Sequence, residues 1–185
     1  MDPLVSVLIP VYNKREYLPA CLRAVLGQTY GRLEVVLAED RSTDGSFAIC
    51  EEYAARDGRV RLLRNERNLG AGQTRNAALR AAKGDWICFV DADDVPARDM
   101  IEKLLSAALR TDSDAAVCGF SYVTPDGEEL SRFSVPPEET VWEGPDCLGR
   151  LVQLYPVETT STIPSKVDCL IENLPPFWTT IFTPL

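Results

Sequence analysis

Short apolar runs and helical stripes take turns along the first two thirds of the chain. Residues 4–9 (LVSVLI) form an apolar run that stops at Pro10, the pattern of a strand buried on both faces. Apolar residues then recur at Leu18, Cys21, Leu22, Val25 and Leu26, one stripe of a helix over residues 14–26. Residues 33–38 predict a second buried strand, closed by Glu39 and Asp40. A turn rich in capping residues (STDGS, 42–46) leads into a helix carrying Phe47, Cys50 and Tyr53. Residues 60–63 predict a third strand, 68–72 (NLGAG) a loop and 73–82 an Ala-rich helix. Residues 86–90 predict a fourth strand, and 98–109 a helix with Ile101, Leu104, Leu105 and Ala108 on one face. Residues 115–123 and 130–135 predict a hairpin across Pro125-Asp126-Gly127.

Strand and helix alternate four times, which predicts an α/β fold: a mostly parallel central sheet with helices on both faces. In such sheets ligands bind beyond the carboxyl ends of the strands. The polar residues gather at those ends: Tyr12 and Asn13, Glu39 and Asp40, then Asp91, Asp93 and Asp94. The fourth strand shows this most sharply, because its apolar run breaks straight into the three carboxylates. In an extended chain Asp91 and Asp93 face one way and Ala92 the other. Two hard oxygen ligands on one side suit a divalent cation with positions left open for a diphosphate. The competing reading is a plain turn, with Asp94 and Pro96 opening a helix.

Composition narrows the chemistry. The net charge is −9, which leaves no basic stripe for nucleic acid. With no histidine, Ser-His-Asp and Cys-His catalysis and His-bearing zinc sites are excluded. Proton transfer falls to carboxylates, Lys, Tyr or Cys. The six cysteines form no CxxC pair, and four of them lie in apolar or helical patterns, as buried free thiols do. No segment reaches the length of a membrane span and no secretory signal opens the chain. The cytoplasm, including the inner face of its membrane, is the expected compartment.

Four phrases in order resemble the family 2 glycosyltransferases: VSVLIPVYN at 5–13, AEDRSTDGS at 38–46, NLG at 68–70 with TRN at 74–76, and FVDADD at 89–94. The resemblance spans roughly residues 4–120 and implies the GT-A fold. It also implies inverting transfer of a sugar from a nucleotide diphosphate donor, most often UDP-linked, to a hydroxyl of a saccharide or lipid-linked acceptor. By this resemblance the donor nucleotide is held by Pro10, Tyr12, Asp40, Arg75, Asp91 and Ala92. Tyr12 packs near the base beside the Pro10 backbone, and Asp40 accepts from a base N–H. Asp91 and Asp93 hold Mn2+ or Mg2+ against the diphosphate. Each residue also has a structural alternative. For Tyr12 it is a half-buried aromatic, for Arg75 an ion pair, for Asp40 a cap on the amides of its own turn at Ser42 and Thr43. Asp44 and Ser46 read as helix caps.

The chain departs from the family pattern in places. Glu39 stands where Asp is common, and Arg41 where Gly is frequent, a cation placed to pair with Asp40 or to reach the donor phosphates. No phrase selects the general base that removes the acceptor proton. Glu158, Asp168 and Glu172 are candidates by residue type alone. Residues 1–135 are expected to form the nucleotide-sugar-binding core. Residues 136–185 are expected to form an incomplete acceptor-side segment, with a short helix near 145–154. Leu174, Phe177, Trp178, Ile181 and Phe182 make the chain end apolar, a surface for a further domain or a second copy of the chain. Two alternatives remain in view. One is a non-catalytic module that binds a sugar nucleotide or a partner protein. The other is a nucleotidyltransferase, disfavoured because no Gly-rich phosphate loop follows the first strand.

Overall fold

The computed structural model describes residues 2–124, 127–133 and 183–184. Four parallel strands form the centre: β1 (Val5–Val11), β2 (Leu33–Glu39), β3 (Val60–Arg64) and β4 (Trp86–Phe89). Their order across the sheet is β3-β2-β1-β4, and a two-residue strand near the chain end, Thr183–Pro184, pairs antiparallel with β4. The helices between strands are α1 (Leu18–Leu26), α2 (Ser46–Arg56) and α3 (Ala71–Ala81); α4 (Met100–Thr111) follows β4. Strands β5 (Phe120–Val123) and β6 (Glu129–Phe133) form a separate antiparallel pair.

Alternation along the strands decides which helix covers which face. Val7, Ile9, Val35, Leu37 and Cys88 point to one side, where Leu18 and Leu22 of α1, Cys50 of α2 and Ile101 and Leu105 of α4 pack on them. Leu8, Val36, Ala38, Ile87 and Phe89 point to the other side, under Ala78 of α3. Both faces of the sheet are thus covered, as near-continuous apolar strands require. Leu8, Ile9, Leu37 and Ile87 are almost wholly removed from water, each worth about 1.5–3 kcal/mol of transfer free energy.

The amino-terminal edge of the sheet carries a closed polar network. The Ser6 hydroxyl donates to Glu34 Oε1 at 2.5 Å and accepts the Gly84 N–H at 2.8 Å. Glu34 also accepts the Lys83 N–H, and Asp85 accepts the Leu4 N–H at 2.8 Å. Gly84 lies so close to β1 that a Cβ there would sit 2.6 Å from Ser6 N and 2.8 Å from Leu4 O.

Several predicted boundaries move. Helix α1 begins at Leu18, not at residue 14: residues 15–17 form a turn in which the Lys14 carbonyl accepts the Tyr17 and Leu18 N–H groups, and Pro19 then suits the first turn. Helix α4 begins at Met100, with Asp99 as its N-cap residue, so Asp94 does not open it. Its start is set from afar: Gln28 Oε1 accepts the Ile101 N–H at 3.0 Å while Gln28 Nε2 donates to Ala97 O at 2.7 Å. β5 begins at Phe120 rather than 115, paired with Phe133 at the far end of β6. Cys21, Cys50 and Cys88 are buried thiols outside any disulfide, as expected, and Cys118 is half-buried. The predicted helix near 145–154, the candidate bases Glu158, Asp168 and Glu172, the apolar stretch 174–182, Cys147 and Cys169 lie outside the described residues. Among the described residues, no helix is long and apolar enough to cross a membrane.

Candidate functional site

The chain leaves β1 toward β2 on one side, and β4 joins β1 on the other. The carboxyl ends of β1 and β4 therefore flank the point where strand order reverses, the usual crevice for a ligand in an open α/β sheet. Tyr12, Asn13 and Lys14 enter it from β1, Asp40 from β2, Arg75 from α3, and residues 91–94 from β4.

Residues 91–94 do not continue the strand. β4 ends at Phe89 and the chain turns, with the Asp94 N–H bonded to Asp91 O at 3.0 Å. The same-face geometry expected of Asp91 and Asp93 assumed an extended chain, so the turn replaces it. Ala92 packs into the core at 2% exposure. Asp91 and Asp93 meet different cations. Asp91 Oδ1 receives Arg75 Nη2 at 2.5 Å in a pair almost closed to solvent, the two side chains being 14% and 6% exposed. Asp93 Oδ2 receives Lys14 Nζ at 2.5 Å, at 39% and 36% exposure.

Burial pushes the Asp91 carboxyl up to about 6; Arg75 opposes the shift, and Asp94 and Asp93 add to it. The Cys21 thiol, which donates to Asp91 O at 3.5 Å, is pushed up by its own burial and then by Asp94, Asp93 and Asp91. Among the described residues no group of three or more His, Cys, Asp or Glu side chains is arranged for an ion.

Asp40 is 2% exposed and already well supplied with donors. Its Oδ1 accepts from Asn65 Nδ2 at 2.7 Å and from the Leu69 N–H at 2.8 Å, and its Oδ2 from the Gly70 N–H at 2.9 Å. The amides it serves are therefore not those of its own turn. That role belongs to Glu39, which accepts the Ser42 N–H and pairs with Arg64 at 3.1 Å. Asp40 instead fixes the loop at the start of α3, where Gly70 takes φ +81°, a conformation that suits glycine. Arg41 does not pair with Asp40; it donates to Glu66 O at 2.9 Å. Its φ of 61° gives the physical reason why a glycine would be at ease at this position.

The loops after β1 and β2 are clasped together. Asn13 N–H donates to Ser42 Oγ at 3.1 Å, Lys14 N–H to Ser46 Oγ at 2.9 Å and Arg15 N–H to Asp44 Oδ2 at 2.9 Å, while Asn13 Oδ1 accepts the Thr43 N–H at 2.8 Å. Asp44 also accepts the Ser46 N–H at 2.9 Å, and with Gly45 at the N-cap position of α2, Asp44 and Ser46 serve to hold the two loops together. Tyr12 stands 47% exposed beside this clasp.

Sequence reasoning missed two residues of the rim. Lys14 was recoverable as a cation just past the first strand, opposite an acidic strand end. Asn65 joins Asp40 to Thr74 Oγ1, at 2.7 and 3.0 Å, and no local signal marks it.

The profile of Glycosyl transferase family 2 matches residues 6–163. The chain belongs to this family. Membership sets aside the nucleotidyltransferase alternative, and the match extends well beyond the stretch in which the four phrases lie. Glycosyltransferase GlyG of Streptococcus pneumoniae is 39% identical over 69% of this chain and 42% of its own length. The putative teichuronic acid biosynthesis glycosyltransferase TuaG of Bacillus subtilis is 35% identical over 76% of this chain and 56% of its own length. The chain thus spans about half the length of these curated relatives. S. aureus TarS in complex with UDP-GlcNAc superposes with a TM-score of 0.56 at 31% identity, covering 60% of this chain and 32% of TarS. A mannosyltransferase of Pyrobaculum calidifontis, in complex with GDP-Man and Mn2+, gives 0.56 at 28% identity, over 68% of this chain and 37% of its own. The fold is therefore the GT-A fold of these glycosyltransferases.

Proposed function

We propose that the chain is the donor-binding part of a glycosyltransferase that moves a sugar from a UDP-sugar to a hydroxyl of a saccharide or lipid-linked acceptor, with inversion and with the help of a divalent metal. The observation that carries this reading is the acidic turn after β4, facing the loops after β1 and β2 across the switch point, in a family 2 chain.

The residues fit such an ion. Asp91 and Asp93 supply hard carboxylate oxygens, and the Asp91 carboxyl, raised first by its burial and further by Asp94 and Asp93, would gain from a nearby cation. Diphosphate oxygens and water would complete the coordination of an ion held by these two carboxylates. When bound, Mn2+ or Mg2+ supplies positive charge for the departing diphosphate.

The chain's own residues do the rest. Pro10 and Tyr12 flank the base, and the backbone at Ala92 lies against the nucleotide. Arg75 keeps Asp91 oriented and brings a buried positive charge to the same rim. Asp40 retains acceptor capacity for a base N–H beyond the three donors it already receives. The loop it fixes shapes that pocket. The acceptor proton goes to a carboxylate whose candidates fall outside the described residues.

Calorimetry with UDP, GDP, CDP and TDP in the presence of Mn2+ tests the reading. UDP is expected to bind most tightly, and EDTA or Asp93→Ala to abolish most of that affinity. UDP binding that is indifferent to metal would sink the metal claim. Tighter binding of GDP would sink the uracil claim.

A further inference from the structure

Two cations face the acidic turn, and they are not alike. The Arg75–Asp91 pair is buried, so parting it would strand a charge out of water. The Lys14–Asp93 pair is more than a third exposed on both sides, so either partner regains water when they part. The Lys14 main chain is pinned: its N–H donates to Ser46 Oγ at 2.9 Å, and its carbonyl accepts the Tyr17 and Leu18 N–H groups at 3.1 and 2.9 Å. Only the flexible four-carbon stem is free to swing. The ammonium at its end lies 2.5 Å from Asp93 Oδ2, so close that a divalent ion bound to that oxygen would have to displace it. One oxygen has two suitors of the same sign.

We propose that Lys14 is an internal competitor for the metal at Asp93, holding the acidic turn together in the donor-free chain and withdrawing when the ion takes that carboxylate. The inference rests on the reading that Asp91 and Asp93 hold the ion. It makes Lys14 a positioning residue that lowers the affinity for metal alone. The ion is then retained chiefly when a diphosphate adds its own oxygens.

The test is Mn2+ titration of the whole chain without nucleotide, followed by the electron paramagnetic resonance signal of free Mn2+. Lys14→Met is expected to tighten Mn2+ about threefold to fivefold, the scale of a half-exposed ion pair. Lys14→Arg, which keeps a cation on a long stem, is expected to stay close to wild type. Arg15→Met removes a neighbouring charge directed at Asp44 and is expected to leave Mn2+ affinity unchanged. Unchanged or weaker Mn2+ binding in Lys14→Met overturns the proposal. So does equal tightening in Arg15→Met, which would reduce the effect to bulk charge. Asp93→Asn separates the two levels of inference. If it abolishes Mn2+ binding while Lys14→Met changes nothing, only the competition fails. If it leaves Mn2+ binding intact, the metal site itself fails and the competition with it.

Discussion

The two edges of one sheet use carboxylates in opposite ways. At the amino-terminal edge, Glu34 and Asp85 accept from a hydroxyl and from backbone N–H groups, and no ion pair of theirs occurs among the described contacts. Their geometry is closed and local to the strand starts. At the carboxyl-terminal edge, Glu39, Asp91 and Asp93 each meet a side-chain cation, and Asp91 still titrates near 6. One edge satisfies its carboxylates with local donors, and the other pairs them with cations across the rim, one of them so buried that its carboxyl is held above the ordinary range. A buried carboxyl held above its ordinary range costs folding free energy and marks the rim as a candidate binding site.

The comparison predicts that edits at the amino-terminal edge change stability alone. Gly84→Ala should cost about 3 kcal/mol, because its new methyl meets the backbone of Ser6 and Leu4 at 2.6 and 2.8 Å. Urea denaturation should show this, while UDP titration of the folded fraction stays at wild-type affinity. A well-folded variant of unchanged midpoint would mean that the edge is looser than described.

Asp40→Asn should cost about 2 kcal/mol, since an amide turns its NH2 toward donors that expect an acceptor. Hydrogen exchange at Leu69 and Gly70 should quicken more than exchange elsewhere. Uniform exchange across the chain would remove Asp40 as the holder of that loop.

The burial of Asp91 is open to a pH test in the metal-free chain. A carboxyl raised from its ordinary 3.8 to about 6 keeps its proton longer when folded than when unfolded. Between those values the folded state binds more protons, so the Asp91 contribution falls as pH rises from about 4 to about 6 and is flat above. The stability of wild type relative to Asp91→Asn should therefore drop over that window, on the order of 2 kcal/mol. A constant difference would show that Arg75 compensates Asp91 fully.

Asp93→Asn gives the smallest effect on stability, under about 1 kcal/mol for a half-exposed pair. Thermal melting should barely move while metal-dependent UDP binding collapses. A large loss of stability would make Asp93 a structural residue and erase the contrast between the edges.

The sheet was legible because each strand is a short apolar run between turn signals, and buried parallel strands leave little else to write. The rim was legible as a set of polar strand ends. Its pairings were not. Lys14 and Asp93 are 79 positions apart, and Asp40 meets Leu69 and Gly70 at 29 and 30 positions, so only the folded sheet brings them together. Alternation also failed at Asp91–Asp93, because a period of two holds only while the chain is extended. Arg41 was visible as an exception to a frequent glycine, but its positive φ and its bond to Glu66 needed coordinates.

The clasp between the loops after β1 and β2 bears on how this domain can be recombined. Asn13, Lys14 and Arg15 spend their backbone N–H groups on side chains of Ser42, Ser46 and Asp44, and Thr43 returns one to Asn13. A crossover anywhere between residues 16 and 41 would draw the two halves of that handshake from different parents. Segments grafted from relatives are therefore expected to function when both loops travel together. When split, they should misfold locally even where each parent supplies an acceptable strand and helix.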